Sequence, residues 1–384
     1  MGVDKSRISN ELCKNNRVFT PSVKYTLGVE LEFQTLDKKN WDLAPLAPTL
    51  LDNAPSLLSP RLSPEFIQSI LEIQTGICFS LEDVENDLMQ TLSMAEELAK
   101  DNNCRLFSAS LHPFAYHRDQ LLTTNDRYER IMQELQIVGR RFISQGFHVH
   151  VGMPDGDTAV KVCNKIQAYL PVLLALSTSS PFSQGEDTGL MSYRTKLFEA
   201  LPLAGTYGHL HSWVTFMEEV ELLTTKGVIA SIKDLWWDAR PNPEYGTVEI
   251  RICDLPIRFN DILAITAFMQ ALVATIVEED EPFSPLNFYM IQANKWRAAR
   301  HGLDGEFIDP TGMLSAHPIT FRKAVDDLVH LVKPMSVRLG SERYLNLLEP
   351  ILKEGTGSDY MRKRYEKKSD FRDVIQSLQE EFWL

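Results

Sequence analysis

The chain has 384 residues, of which 44% are hydrophobic and 24% are charged, as is ordinary for a globular protein. Its net charge of −13 argues against an extended phosphate-binding surface, so we expect no nucleic-acid partner, although a local cationic pocket for one nucleotide is compatible with it. No apolar run approaches the ~20 residues that a membrane-spanning helix needs, so we expect no membrane partner. Residues 1–20 carry charges of both signs and no apolar segment, which predicts no secretory signal.

The five cysteines are scattered and form no C-x-x-C pair, a pattern typical of buried or free thiols in a reducing cytoplasm. The sequence contains neither an internal repeat nor a long low-complexity linker. We therefore interpret residues 1–22 as a flexible N-terminal tail and residues 23–384 as a single domain.

The first predicted strand covers about residues 24–35 and alternates strictly between apolar and polar side chains. The apolar residues fall on one face, and Glu30 and Glu32 fall on the other, roughly 7 Å apart. A proline-rich stretch over residues 45–64 predicts a loop. Residues 65–76 predict a second strand, with a helix as the alternative.

Helices and strands alternate along the rest of the chain. Ser80 is a predicted N-cap and opens a helix that extends to about residue 100. Further strands are predicted over 105–113, 147–153 and 246–253. Further helices are predicted over 126–145 (with Gly146 as the residue that ends it), 157–177, 212–226 and 261–278. Because several strands alternate rather than being continuously apolar, we predict an antiparallel α+β sheet with one functional face, and not a doubly wound parallel sheet.

Residues of the types that bind metals or phosphates share one face on three predicted strands. In chain order these residues are Glu30 and Glu32, His148 and His150, and Glu249 and Arg251. Glu72 is a single acid within an otherwise apolar strand. Taken one at a time, these patterns also fit the solvated outer face of a sheet, partly exposed histidines or a surface ion pair.

The combination of the patterns favours a shared site. If the strands are neighbours, their carboxylates would repel one another strongly, and divalent cations would relieve that repulsion. Carboxylate oxygens suit Mg²⁺, and an imidazole ligand favours tolerance of Mn²⁺. A guanidinium beside the metals indicates a phosphate. Since the sequence lacks the glycine-rich phosphate-binding motifs, a bound ATP would be held through metals and arginines.

Five motifs follow one another between about residues 25 and 310. They are G-V-E-L-E-F (28–33), H-V-H-V-G (148–152), S-P-F-S-Q-G-E-D-T-G-L-M-S-Y-R (180–194), R-P-N-P-E-Y-G-T-V-E-I-R-I-C-D (240–254) and N-K-W-R-A-A-R-H-G-L-D-G (294–305). In this order the motifs resemble those of the type 2 glutamate–cysteine ligases, which are carboxylate–amine ligases of the glutamine synthetase superfamily.

The resemblance implies a glutamine synthetase-like α+β fold, in which a curved antiparallel sheet is flanked by helices and residues 23–384 form one catalytic domain. The concave face of the sheet would bind ATP, two or three Mg²⁺ ions (with Mn²⁺ as an alternative) and an amino-acid carboxylate. The implied metal ligands are Glu30, Glu32, Glu65, Glu72, His148 and Glu249. His150 would either join them or contact the phosphates of ATP.

The resemblance also implies roles for five arginines. Arg251 would bridge the transferred phosphoryl group and the acyl substrate, and Arg194 and Arg240 would clamp a carboxylate or a phosphate. Arg297 and Arg300 belong to the last motif and are candidates for nucleotide binding.

The implied reaction is an ATP-dependent ligation. Phosphoryl transfer from ATP would convert a carboxylate into an acyl phosphate, and an amine would then displace phosphate to form an amide. Glutamate and cysteine are the expected substrates, and a homodimer is the expected assembly. Two alternatives stay open at this point: a phosphotransferase like the guanidino kinases, and a catalytically silent protein that binds metals or ligands on the same fold.

Overall fold

The computed structural model describes residues 18–280 and 284–384, and its centre is a seven-stranded sheet. The strands of this sheet are β1 (Leu27–Asp37), β2 (Leu62–Pro64), β3 (Ile70–Gln74), β4 (Cys104–Phe107), β5 (Gly146–Gly152), β8 (Ala239–Asn242) and β9 (Thr247–Asp254). Their order in space is β2-β3-β1-β5-β9-β8, with β4 also paired to β1. Every pairing is antiparallel. Two short hairpins lie apart, formed by β6 (Phe182–Ser183) with β7 (Glu186–Asp187) and by β10 (Glu306–Phe307) with β11 (Ile319–Thr320).

Fifteen α-helices surround the sheet in the described part of the chain. They are α1 (Ala47–Asn53), α2 (Leu81–Asp101), α3 (Asp126–Leu135), α4 (Ile137–Arg140), α5 (Gly156–Ile166), α6 (Leu170–Ser177), α7 (Arg194–Phe198), α8 (Trp213–Thr225), α9 (Phe259–Glu278), α10 (Phe288–His301), α11 (Phe321–Arg338), α12 (Glu342–Leu345), α13 (Leu348–Glu354), α14 (Gly357–Lys368) and α15 (Phe371–Glu381).

The apolar face of the sheet is covered by helices. In β1 the apolar residues Val29, Leu31 and Phe33 point into the core, as the alternation in the sequence predicts. Helices α2, α5, α6 and α9 contact the strands, and one buried apolar cluster extends from Phe19 to Phe382. The opposite face, which carries the glutamates of β1, is therefore left free to form a site.

Two predicted helices are each divided in the structure. The segment predicted over 126–145 breaks at Gln136, which adopts a positive φ of 48°, and Gly146 is the first residue of β5 rather than the end of a helix. The segment predicted over 157–177 bends by 67° between α5 and α6. Pro171 lies in the first turn of α6. Proline lacks the N–H that a continuous helix needs, which explains why one helix ends before it and a second begins there.

The strand predicted over 65–76 is shorter than expected. In the central sheet only β3 of this segment is paired, and residues 65–69 form a loop between β2 and β3 in which Ile67 makes an isolated bridge to Leu122. Strand β8, helix α10 and the helices after residue 320 are not evident from the sequence. Helix α10 packs mainly against α6 and β10, and helices α11, α12 and α13 pack against α9. The apolar positions of these elements are explained by those contacts between distant parts of the chain.

Helix α9 corrects the expectation that no segment is apolar enough to cross a membrane. By length and composition alone it passes that test, as does the bent pair α5 and α6 if it is counted as one span. In the fold, however, 83% of the apolar window of α9 is buried inside the protein, which is the position of a core helix.

Packing begins before the predicted boundary at residue 22. The ring of Phe19 lies edge-on against Trp213, and the N–H of Thr20 donates to the carbonyl of Pro243 at 3.0 Å. The rest of the predicted tail, residues 1–17, lies outside the described residues.

The turn between β8 and β9 supplies a test of this packing. Gly246 has a φ of +64°, and a Cβ there would lie 1.8 Å from the carbonyl oxygen of Thr20. We expect Gly246→Ala to lower the free energy of unfolding by about 2 kcal/mol or more, because it adds a collision to backbone strain. The control is Gly227→Ala. Gly227 has a φ of +72°, but no atom of the described residues lies within 4 Å of a Cβ added there, so this variant introduces backbone strain without a collision. Equal losses for the two variants in urea denaturation would contradict the close contact at Thr20.

Candidate active site

The strand register places the predicted site residues directly opposite one another. Glu30 of β1 is opposite His148 of β5, and Glu32 is opposite Glu72 of β3. On the other side of β5, His150 is opposite Glu249 of β9. Side chains at such paired positions lie on the same face of the sheet within contact distance. The register therefore gathers four separate segments into one polar surface.

The first cluster consists of Glu30, His150 and Glu249, each of which offers one ligand atom within 4.8 Å of the others. His150 contacts Glu30 through Nε2 at 3.1 Å and Thr247 through Nδ1 at 2.9 Å. Burial alone would raise the pKa of Glu30, but the charge of His150 and hydrogen bonds from both histidines hold it well below its usual value.

The second cluster consists of Glu32, Glu65 and Glu72, whose ligand atoms also lie within 4.8 Å of one another. Glu65 reaches this position from the loop after β2, where its carboxylate accepts from the N–H of Phe66 at 3.1 Å. Burial, reinforced by neighbouring carboxylates, raises the pKa of Glu65 to about 8 and raises the pKa of Glu72 well above its usual value. Without a counter-charge, this cluster cannot ionise fully at neutral pH.

His148 lies between the two clusters. Its Nδ1 is 3.3 Å from Glu30, and its Nε2 is 3.8 Å from Glu32 and has no hydrogen-bond partner among the described residues. Burial, together with the charge of Arg251, lowers the pKa of His148 and keeps the imidazole neutral. A neutral imidazole nitrogen is the form that binds a metal.

Arg240 and Arg251 both bind Glu249. The Nε of Arg240 donates to one carboxylate oxygen at 3.0 Å, and Arg251 donates to the other. Although burial would raise it, the two guanidinium charges hold the pKa of Glu249 well below its usual value, so this carboxylate is ionised. Unused lone pairs remain on its oxygens for a further ligand.

Arg194 reaches the same surface from the start of α7. Two of its nitrogens donate to the backbone carbonyls of Ile252 and Arg251, at 3.2 and 3.3 Å. The Nε atoms of Arg194 and Arg251 are buried and find no hydrogen-bond partner in the part of the chain that the structure describes. Unpaired buried donors are uncommon in folded proteins, and these two can receive an anion.

Eight predicted residues line one cavity of about 200 Å³. They are Glu30, Glu32, Glu65, Glu72, His148, Arg194, Arg240 and Arg251. His150 and Glu249 lie directly behind them, in contact with Glu30 and Arg251. The structure thus brings together every predicted metal ligand and three of the five predicted arginines.

Arg297 and Arg300 are not among the residues that line this cavity. Arg300 is exposed, and Arg297 lies 4.0 Å from Glu306 of β10. The helix turns Asn294 and Lys295 inward instead, since its buried face repeats every four residues and the two arginines fall outside that repeat. That these two arginines contact a nucleotide stays a prediction.

Comparison with known proteins identifies the family. Residues 26–377 match the sequence model of glutamate–cysteine ligase family 2. A protein of Gloeobacter violaceus, provisionally named glutamate–cysteine ligase 2, is 37% identical over 367 residues, which cover 94% of this chain and 98% of the relative. A protein of Bdellovibrio bacteriovorus with the same provisional name is 38% identical over 364 residues, covering 94% and 95%. The chain belongs to glutamate–cysteine ligase family 2.

Two solved structures share the fold. The glutamate–cysteine ligase of Francisella tularensis, solved in complex with AMP, superposes with a TM-score of 0.67 at 13% identity, covering 94% of this chain and 89% of that one. The bifunctional glutathione synthetase of Pasteurella multocida gives 0.69 at 16% identity, covering 99% of this chain and 54% of that one. These similarities confirm the predicted α+β fold with an antiparallel sheet flanked by helices.

Membership of glutamate–cysteine ligase family 2 confirms the resemblance seen in the five motifs. It also confirms the prediction of an enzyme, an ATP-dependent carboxylate–amine ligase of the glutamate–cysteine ligase type. The roles of individual residues and the identity of the metal are separate questions.

Several cavity residues carry no functional signal in the sequence. Arg127, Tyr128 and Lys233 line the cavity, together with an aromatic wall that includes Phe66, Phe142, Phe198 and Trp236. The apolar residues of α3 have the spacing of a helix that packs on a core. Apolar residues that line a cavity have the same spacing, so the sequence does not distinguish the two. Arg127 gives no signal in the sequence, because a charged residue in the first turn of a helix is usually a solvated side chain.

The raised pKa of Glu65 predicts how stability depends on pH in the absence of metal. The unfolded carboxyl ionises near pH 4.5, while the folded one holds its proton up to about pH 8. Between these values stability should fall as the pH rises, by roughly 1.4 kcal/mol per pH unit for this group. We expect Glu65→Gln to remove that part of the slope in denaturation curves measured with a chelator. Asp261, whose pKa is raised to about 7, is present in both proteins and cancels. Glu72 adds to the loss of slope, because the charge of Glu65 contributes to its raised pKa. Equal slopes would contradict the burial of Glu65.

Proposed function

We propose that this enzyme joins glutamate to cysteine, using ATP to form γ-glutamylcysteine through an acyl phosphate. One observation carries the proposal: two carboxylate-containing clusters and three arginines lie at or directly behind the lining of one cavity. Acids alone would suit a cation site, and arginines alone would suit an anion site. Their combination suits a metal-bound triphosphate next to an anionic acyl substrate.

The two clusters suit divalent cations. Each presents three ligand atoms within 4.8 Å of one another, mostly carboxylate oxygens, which are the ligands that Mg²⁺ prefers. The unpartnered Nε2 of His148 beside Glu32 adds a nitrogen ligand that Mn²⁺ accepts readily. We assign Glu30, His150 and Glu249 to one ion and Glu32, Glu65 and Glu72 to another, with His148 between them. Bound ions would neutralise the acids and draw charge from the phosphates of ATP.

The arginines supply the anion-binding half of the site. Arg251 is held by Glu249 on one side and leaves its Nε unpaired, so it can bind the transferred phosphoryl group. Arg194 leaves its own Nε unpaired and can bind the substrate carboxylate. Positive charge in a buried site offsets the negative charge that spreads over the phosphoryl oxygens in the transition state.

The chemistry requires activation of the carboxylate. Attack of a carboxylate oxygen of glutamate on the γ-phosphorus of ATP breaks the bond to ADP and gives an acyl phosphate. The cysteine amine then attacks the acyl carbon, phosphate leaves and an amide forms. The side chains described here act by position and charge, and no cysteine or serine nucleophile is needed.

The aromatic wall suits the amine substrate. Phe66, Phe142 and Phe198 border the cavity beside the acidic residues. A thiol side chain behaves as a small apolar group, so it is compatible with such a wall. We further propose a cytoplasmic location, because the four cysteines in the described ranges (Cys78, Cys104, Cys163 and Cys253) are free thiols that suit a reducing compartment.

Phosphate release tests the reaction. We expect phosphate and dipeptide to appear in equal amounts only when ATP, Mg²⁺, glutamate and cysteine are all present. Arg251→Ala should lower the rate about 100-fold or more, since a charge that stabilises the transition state is lost. Thermal melting controls for folding, and Arg251→Lys is the matched variant that keeps a charge.

Other outcomes would contradict the proposal. Phosphoryl transfer that needs only one amino acid would favour a phosphotransferase, and the absence of turnover with metal binding intact would favour a silent binding protein. Near-normal activity of Arg251→Ala would remove that residue from the assigned role.

The metal assignment predicts a specific defect for His148→Ala. Loss of a nitrogen ligand should raise the Mg²⁺ concentration needed for half-maximal activity by about tenfold or more. His330→Ala is the control, because His330 is an exposed histidine on α11. A Mg²⁺ titration that is unchanged in His148→Ala would exclude this imidazole from the metal site.

A further inference from the structure

Lys295 is a buried charged residue of the N-K-W-R-A-A-R-H-G motif on α10. Its side chain is only 3% exposed, and its ammonium contacts two acids from other segments. The distances from Nζ are 2.6 and 2.8 Å to the two carboxylate oxygens of Asp238, and 3.0 Å to Glu199. This cluster lies outside the residues that line the catalytic cavity.

A buried ion cluster of this kind is not the most stable way to fill a core. Removing charges from water is costly, and well-packed apolar residues of similar volume are often as stable. The cluster does, however, fix the relative positions of its members, because ammonium–carboxylate contacts are short and the acids come from distant parts of the sequence. Its geometry therefore points to positioning.

The first acid, Asp238, immediately precedes β8, the strand that carries Arg240. It precedes Arg240 by two residues, and its carbonyl oxygen accepts the backbone N–H of Arg251 at 2.8 Å. Its own N–H donates to Gly205 at 2.9 Å. A shift of Asp238 would therefore move the backbone of both arginines.

The second acid, Glu199, belongs to the segment that carries Arg194. It is the C-terminal cap of α7, the short helix that Arg194 begins. Lys196 also contacts Glu199, at 2.6 Å, but none of its hydrogen bonds or ion pairs in the described structure reaches Asp238. Lys295 links Glu199 to Asp238, and so joins the end of α7 to the start of the β8–β9 hairpin. A further link is that of Arg194 itself, whose side chain reaches the carbonyls of Arg251 and Ile252.

We propose that Lys295 is a positioning residue that holds Arg194, Arg240 and Arg251 in register with one another. Its ammonium ties the α7 segment to the β8–β9 hairpin, and α10 supplies the rigid base for that tie. The expected effect on kcat rests on the proposed function. The contacts by which Lys295 holds the arginines in place do not depend on which substrates the enzyme uses. The proposal also gives the last sequence motif a role, because Lys295 lies within that motif.

The test compares Lys295→Met with Lys196→Met in the full-length enzyme. Both variants remove a cation from Glu199, but only the first releases Asp238. We expect Lys295→Met to lower kcat by about 100-fold, as misplacement of positioning groups by about 1 Å can do, with less than a threefold change in KM for ATP. Lys196→Met should keep kcat within about twofold. Equal effects of the two variants would overturn the proposal.

A second measurement is independent of catalysis. Hydrogen exchange of peptides that cover residues 238–254 should speed up in Lys295→Met and not in Lys196→Met, because the Arg251 N–H loses its fixed acceptor. If the wild type lacks ligase activity, the proposed function fails while this result still decides the positioning role. Unchanged exchange in Lys295→Met would overturn it.

A double-mutant cycle separates positioning from general destabilisation. If Lys295 acts through the arginines, Lys295→Met should cost less activity in the Arg240→Ala background than in the wild type, because one of the three groups that it positions is already absent. Fully additive losses would contradict the mechanism. If Lys295→Met does not fold, Asp238→Asn provides the decision, since it keeps the shape and weakens the tie. A kcat within twofold of wild type in Asp238→Asn, with unchanged exchange over 238–254, would overturn the proposal.

Discussion

The strand register places several carboxylates side by side, and this close approach of like charges is the constraint that shapes the site. Glu32 and Glu72 are directly opposite across β1 and β3, a placement that destabilises a sheet when both are charged. Glu65 adds a third acid from a loop. The other face of β1 is buried in the core. A shift of register would bury the glutamates and expose the apolar residues, so the glutamates stay on the polar face. Under the proposed function, divalent cations bound to these acids would relieve the repulsion.

The positive half of the site is organised differently from the negative half. Of the acids, Glu30, Glu32, Glu72 and Glu249 lie on paired strands and are placed by the register, and Glu65 comes from the loop after β2. The arginines come from β8, β9 and α7, and side-chain contacts fix them: Glu249 holds Arg240 and Arg251, while backbone carbonyls hold Arg194. The strand register fixes the backbone positions of the acids on the sheet. The arginine side chains are long and flexible, so hydrogen bonds and ion pairs are needed to fix the positions of their guanidinium groups.

Close packing connects the two halves at the start of β5. Gly146 donates its N–H to Glu32 at 2.6 Å, and a Cβ there would lie 2.6 Å from both Arg194 and His148. The residue that appeared to end a helix in the sequence is thus the point where acid, imidazole and guanidinium approach the same backbone. Its lack of a side chain creates the space, as glycine does wherever a backbone must be approached closely.

The sequence by itself determined the faces of the strands. Period-two alternation is a local property, so the spacing of neighbouring residues is enough to assign Glu30, Glu32, His148, His150, Glu249 and Arg251 to polar faces. The five motifs further indicated the family, and so the α+β fold. Only the tertiary structure decided which strands are neighbours, where α3 and α4 separate, and that α10 turns Lys295 inward and Arg300 outward. These features depend on contacts between residues far apart in the chain, and local spacing carries no record of such contacts.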